Sequence, residues 1–190
     1  MSILENSHLH KLSYEEIFSN RPTLRELKKM KRLPIYALVE NIRSMHNVGS
    51  IFRSSDGARI QELILSGFTP SPPRREIDKT ALGATDSVPW IYIKDPLVKV
   101  KELKKRGIRI IAVEHTRESR LYTNVTYQFP LCVIVGNEVE GISEALLSAA
   151  DEAIELPMLG LKQSLNVSVA FGIIVYHLMQ QYLARHDVNP

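Results

Sequence analysis

The feature that most constrains this chain is a series of short apolar runs separated by helical patterns. The runs are Ile35–Glu40, Glu62–Leu65, Trp90–Ile93, Arg109–Val113, Leu131–Val135 and Ala153–Leu156. Several are almost wholly apolar, as strands covered on both faces are. Asn47–Arg59, Leu97–Arg106, Glu144–Ala149 and Val167–Arg185 carry helical patterns in between and after. This alternation predicts an α/β domain with a mainly parallel sheet flanked by helices. Residues 1–34 differ: two short basic helices, about Tyr14–Phe18 and Leu24–Met30, precede Pro34 and the first strand. They predict a basic N-terminal helical extension, followed by a single domain over 35–190, as a length of 190 residues allows.

Composition removes several classes. The hydrophobic share of 44% and charged share of 24% exclude disorder, collagen and coiled coil as descriptions of the whole chain. The single cysteine excludes an internal disulfide and a cysteine zinc finger. Cys132 lies in an apolar run and is expected in the core rather than as a nucleophile. The six histidines do not pair at metal-ligand spacing, so no metal is expected. Residues 1–20 contain no apolar signal core. The longest apolar stretch, Val167–Met179, is too short and too interrupted (Ser168, Gly172, His177) to span a bilayer. A cytoplasmic, soluble protein is the expectation.

Charge is unevenly placed. Arg21–Arg32 holds six basic residues against one acid, and Lys94–Arg109 holds seven against two. Val133–Leu161 holds six acids and no Lys or Arg. Basic stretches of this kind suit a polyanion partner such as RNA. The 94–109 stretch also reads as a solvated crossover helix, because its lysines form no single stripe.

In open α/β sheets ligands bind beyond the carboxyl ends of the strands. The loops there are Asn41–His46, Gly67–Pro73, Glu114–Arg117, Gly136–Gly141 and Pro157–Asn166. None contains the glycine pattern of a dinucleotide fold or a P-loop, nor is there a zinc-protease or serine-hydrolase motif. Three constellations stand out. Asn41–Arg53 runs from a strand through a polar turn into a helix; Arg43, His46 and Arg53 could hold phosphates there, or Asn47 could be a plain cap. Val135-Gly136-Asn137-Glu138-Val139-Glu140-Gly141 places two acids in a glycine-bracketed turn after a buried strand. Leu156–Ala170 is an apolar loop with Gly160, then Gln163, Ser164 and Asn166 before a long helix. Such a loop suits an adenine and a thioether, while Ser164 or Asn166 could be the helix cap. His115 and Arg117 follow a strand and could face the same space or merely cap it.

Taken in order, Asn47-x-Gly49-x-x-x-Arg53, Gly136-Asn137-Glu138-x-x-Gly141 and Leu156-Pro157-Met158-x-Gly160…Ser164-Leu165-Asn166-Val167-Ser168-Val169-Ala170 resemble the three motifs of the TrmH branch of the SPOUT RNA methyltransferases. Lys79–Ala84 before Trp90 resembles that branch as well. The resemblance covers roughly residues 35–180. It implies an α/β fold with a C-terminal trefoil knot (the SPOUT α/β knot), a homodimer, and S-adenosylmethionine bound in the knot. It further implies methyl transfer to a ribose 2′-hydroxyl of RNA.

Carried over by position, the resemblance places the cofactor against Gly136, Asn137, Glu138, Leu156, Met158, Gly160, Ser164, Leu165 and Asn166. It makes Arg53, Asn47, Glu138, Ser164 and Asn166 the catalytic set. Arg53 would either displace the hydroxyl proton or bind an RNA phosphate and stabilise a developing alkoxide. Its presence argues against base methylation, for which related branches use an acid. Arg21, Arg25, Lys28, Lys29, Arg43 and His46 are expected to contact RNA. The short basic extension resembles tRNA-directed members, whose target is a D-loop guanosine. 23S ribosomal RNA is the alternative substrate, and a non-catalytic RNA-binding protein of the same fold is the alternative of another class.

Overall fold

A computed structural model of the chain describes residues 10–186. They fall into two compact units, one ending at Lys31 and the other starting at Arg32. The first contains α1 (Tyr14–Ser19) and α2 (Leu24–Leu27). Each opens with a reciprocal cap: Ser13 with Glu16, and Thr23 with Glu26. The second helix ends three residues earlier than its sequence pattern suggests. Arg21, Arg25, Lys28 and Lys29 are all exposed.

The second unit contains β1 (Leu33–Glu40), α3 (Met45–Gly57), β2 (Ile60–Ser66), α4 (Arg75–Ala81), α5 (Ala84–Ser87), β3 (Trp90–Ile93), α6 (Pro96–Lys105) and β4 (Arg109–Val113). The two-residue β5 (Arg120–Leu121), β6 (Leu131–Val135), α7 (Glu144–Ala149), β7 (Glu152–Glu155) and α8 (Val167–His186) follow. The seven strands form one sheet in the order β3-β2-β1-β6-β4-β7-β5, with every strand pair parallel.

Strand side chains alternate between two cores, as a period of two dictates. Ile35, Ala37 and Val39 of β1 and Leu131, Val133 and Val135 of β6 pack with α3, α4 and α8. Tyr36, Leu38, Cys132 and Ile134 face the other way, against Val100 and Leu103 of α6 and Leu146 of α7. Each fully buried Leu, Ile or Val contributes about 1.5–3 kcal/mol, so this three-layer arrangement is held mainly by the central strands. Cys132 is fully buried, and burial pushes its thiol up, which makes it an inert core residue.

Two expectations need correction. Lys94–Arg109 is not wholly solvated: Lys99 of α6 is buried and pairs with Glu62 at 3.4 Å and Glu102 at 3.2 Å. The apolar C-terminal run extends into a 20-residue helix, long and apolar enough by length and composition to cross a membrane. Its Phe171, Ile174, Val175 and Leu178 nevertheless lie in the core, which accounts for the apolar content of that face.

The chain runs outward from β1 to β2 and β3, then returns past β1 to β4, and β6 inserts between them. The strand order therefore reverses between β1 and β6. Val39 pairs with Val135 there, so the loops after these two strands emerge side by side.

Candidate active site

Asn41 leaves β1 in the left-handed region, with φ 56°. Ser44 then caps α3, its hydroxyl accepting from the Asn47 N–H at 3.3 Å. The cap is thus Ser44 and not Asn47, and the Asn47 side chain is free for other partners.

Across the switch point, Asn137 folds the β6 loop into a tight turn. Its backbone N–H and C=O pair with those of Gly141 at 2.9 and 3.0 Å, and its Oδ1 accepts from the Val139 and Glu140 N–H groups. Its Nδ2 donates to the Asn41 carbonyl at 2.7 Å, tying the two loops together. Gly136 and Gly141 are required by this turn: a Cβ on Gly136 would collide with the Gly141 backbone, and Gly141 has φ 73°.

That turn projects Glu138 onto the start of α3. Its carboxylate accepts from the Arg43 N–H at 3.1 Å, the Ser44 N–H at 3.3 Å and the Asn47 amide at 3.0 Å. Burial pushes the Glu138 carboxyl up, but these donors outweigh it and hold it below the usual carboxylate range. Asn47 Oδ1 in turn accepts from Asn166 Nδ2 at 3.0 Å. Asn166 Oδ1 caps α8 by accepting from the Ser168 N–H at 2.8 Å. Glu138, Asn47 and Asn166 thereby link the three sequence constellations in one hydrogen-bonded chain.

Beside this chain is a cavity of about 290 Å³ over the carboxyl ends of β4, β6 and β7. Gly136, Asn137, Glu138, Leu156, Met158, Ser164 and Leu165 of the expected cofactor set line it; Gly160 and Asn166 do not. Asn166 instead bonds Asn47 on α3. The lining also contains residues that the motifs did not single out as a set: Glu114, His115, Glu140, Glu155 and Gln163. Arg117 does not reach it. Glu114 and His115 directly follow β4, Glu155 ends β7, and Glu140 and Gln163 lie in the loops beyond β6 and β7. Glu114 accepts from the N–H groups of Ile142 and His115, and the Glu155 carboxylate, at 2.6 Å from Ser119 Oγ and 3.1 Å from His115 Nδ1, is held below its usual range by both. No Lys or Arg lines the cavity. An acid-rich, partly apolar site suits a ligand with an aromatic ring system and cationic groups.

Arg53 is exposed on α3 and lines neither cavity, and its guanidinium makes no hydrogen bond among the described residues. Arg43 and His46 are exposed as well. Arg43 borders a second cavity, and the His46 carbonyl accepts from Thr80 Oγ1 at 3.0 Å.

Residues 34–176 match the model of the SpoU rRNA Methylase family. A tRNA (guanosine(18)-2'-O)-methyltransferase of Aquifex aeolicus is 34% identical over 162 residues, covering 83% of this chain and 74% of the relative. The crystal structure of the A. aeolicus TrmH/SpoU tRNA modifying enzyme superimposes with a TM-score of 0.77 at 31% identity, covering 85% and 83% of the two chains. The SpoU methyltransferase AviRb from Streptomyces viridochromogenes, solved with AdoMet, has the same fold, with a TM-score of 0.74 at 23% identity over 81% and 63%. With its three motifs in place around one switch point, this chain belongs to the SpoU/TrmH family of SPOUT-class RNA methyltransferases.

Proposed function

We propose that the protein is an S-adenosylmethionine-dependent methyltransferase acting on a ribose 2′-hydroxyl of tRNA, with a D-loop guanosine as the target. The observation that carries this reading is the acid-lined, arginine-free cavity joined to the Glu138–Asn47–Asn166 chain. The cofactor is a sulfonium and an ammonium on an adenosine frame, so acids and apolar side chains at the lining fit it. The substrate assignment rests on the name of the A. aeolicus relative.

Leu156, Met158 and Leu165 would pack on the adenosine, and Gly136, Asn137 and Ser164 would offer polar contacts. Bound there, S-adenosylmethionine supplies an electrophilic methyl carbon. Glu138 fixes the start of α3 and leaves Asn47 bridging the two loops, so the cavity rim is rigid before RNA arrives. The Arg53 guanidinium presents only donors and no acceptor. It therefore binds an RNA phosphate and stabilises the alkoxide that develops at O2′, while the hydroxyl proton leaves to that phosphate or to water.

Arg53 cannot do this from its own protomer's cavity wall, which it does not line. A homodimer through α3 and α8 resolves the separation. Val169, Ile173 and Tyr176 form an exposed apolar stripe on α8, and Gly57 of α3 lies directly under the Tyr176 hydroxyl. Leu159 and Leu161 are fully exposed in the loop before α8. Pairing these surfaces covers them and carries Arg53 toward the partner's cavity. The convergence of the Gly136–Gly141 and Pro157–Asn166 loops on one site also supports a C-terminal trefoil knot over the 35–190 domain, with residues 1–34 as the tRNA-binding extension. The unpaired thiol of Cys132 suits the cytoplasm.

The test is incubation with tritiated S-adenosylmethionine and separate pools of unmodified tRNA and ribosomal RNA, followed by digestion to nucleosides. Labelled 2′-O-methylguanosine from tRNA supports the proposal. Label only in 23S ribosomal RNA changes the substrate. A methylated base removes the role given to Arg53, and cofactor binding without any transfer leaves an RNA-binding protein.

A further inference from the structure

The cavity beside Arg43 has no part in the chemistry above. It holds about 500 Å³ and lies over the carboxyl ends of β1, β2 and β3, on the opposite side of the switch point from the acid-lined cavity. We propose that it is a nucleotide subsite, taking one unstacked nucleotide of the RNA substrate with its base on the Phe68 ring and its phosphate on Arg43 and Arg74. This rests on the RNA methyltransferase reading and adds a second point of RNA recognition to it.

Arg43 and Arg74 line the cavity and no acid does. Neither guanidinium has a carboxylate partner among the described residues. The neighbouring cavity has the opposite composition, acids without bases. The two meet at one contact, the Arg43 N–H on Glu138 Oε2 at 3.1 Å. One edge of the sheet therefore offers a site for a cation beside a site for an anion.

Phe68 is 59% exposed at the mouth of the cavity. The backbone around it is nevertheless fixed on every side. Its own N–H donates to Asn41 Oδ1 at 3.1 Å, and the Gly67 carbonyl accepts from the Tyr92 hydroxyl at 2.6 Å. The buried Thr69 hydroxyl accepts from the Ile42 N–H at 3.1 Å and donates to the Val39 carbonyl at 3.2 Å. Gly67 has φ 63° and no room for a Cβ against Asn41. A rigid loop thus presents an aromatic face to solvent, with a second exposed aromatic, Tyr92, on the same wall. Unpaired RNA bases are recognised by stacking on such rings, with basic groups on the backbone.

The experiment compares Phe68→Ala, Phe68→Trp and Arg74→Gln with wild type in the tRNA methylation assay. It is read together with cofactor affinity by calorimetry, oligomeric state by light scattering, and ultraviolet cross-linking of RNA followed by peptide mass spectrometry. Phe68→Ala and Arg74→Gln should each raise KM for RNA by about tenfold, with cofactor affinity and Tm unchanged. Phe68→Trp should restore KM, and the wild-type cross-link should map to the peptide containing Phe68. KM within twofold of wild type in Phe68→Ala, with an active parent, overturns the subsite alone. A wild type that methylates no RNA overturns the function instead. A change of oligomeric state in Phe68→Ala assigns the cavity to a second copy of the chain and overturns it equally.

Discussion

The Asn47 amide nitrogen donates to Glu138 Oε1 at 3.0 Å, across 91 residues of sequence. The same side chain accepts from Asn166 through its oxygen. An amide meets both demands at once, donating to the carboxylate through its nitrogen and accepting from the other amide through its oxygen. Asn47→Ala loses both bonds and should therefore cost about 2 kcal/mol, which lowers Tm by about 4–8 °C in a chain of this size. Asn47→Asp should cost more, since it sets a second carboxylate against Glu138. Thermal unfolding of both variants, with methylation rates alongside, checks the order. Equal Tm for the two would mean that the side chain is not bridging.

Glu138 predicts a pH dependence of stability. Its folded-state pKa is depressed, so the stability it contributes is fully present above its unfolded pKa, about 4.3. That contribution is lost as pH falls from there through the folded value. Denaturant titrations of wild type and Glu138→Gln should show the largest gap near neutrality and a shrinking gap below about pH 4. A gap that widens on acidification would contradict the depressed carboxyl.

The Arg53 guanidinium is exposed and has no partner among the described residues, so removing it should leave the fold within about 0.5 kcal/mol of wild type. Arg53→Ala should nonetheless abolish most methyl transfer while cofactor still binds. Arg53→Lys should not rescue it, because a point charge does not reproduce the planar, forked guanidinium. Near-normal turnover in Arg53→Ala would remove the residue from the mechanism. In a mixture of Arg53→Ala with a cavity variant such as Ser164→Ala, regained activity would place Arg53 against the partner's cavity.

The central strands were legible because burial on both faces leaves no polar residue to blur them: Leu131–Val135 and Arg109–Val113 lie where the apolar runs end. β2 starts earlier than its run, at Ile60, because Gln61 interrupts the apolar pattern inside the strand. α4 and α5 escaped notice because they are short and have no side-chain cap bond. The two-residue β5 has no periodicity to read. In the site, the turn at Gly136–Gly141 was visible from its glycines, whereas the target of Glu138 was not, since it depends on β6 inserting beside β1. Glu114, Glu155 and Phe68 were hidden for the same reason. A helical face can be read from spacing, but what lies opposite it cannot, and so the separation of Arg53 from the cavity came only with the fold.

Gly49 lets α3 and α4 cross closely. A Cβ there would run into Thr80 Oγ1 and the Ile77 carbonyl, both on α4. Gly49→Ala must push the two helices apart, which typically costs about 1–3 kcal/mol, although alanine is the better helix former. Because α3 also holds Asn47, the shift should weaken cofactor binding as well. Thermal unfolding and calorimetry of Gly49→Ala test both. A variant as stable as wild type would mean that α4 yields freely.

The N-terminal unit supplies the remaining prediction. Arg21, Arg25, Lys28 and Lys29 are exposed, and no ion pair involves them among the described residues. If all four meet tRNA phosphates, each releases counterions on binding. Replacing all four by glutamate should raise KM for tRNA and reduce the slope of log affinity against log salt by about 3. Transfer to a short stem-loop too small to reach the extension should be affected far less. Filter binding at a series of salt concentrations measures the slope directly. An unchanged slope would show that residues 1–34 do not bind the RNA backbone, even if KM rises for another reason.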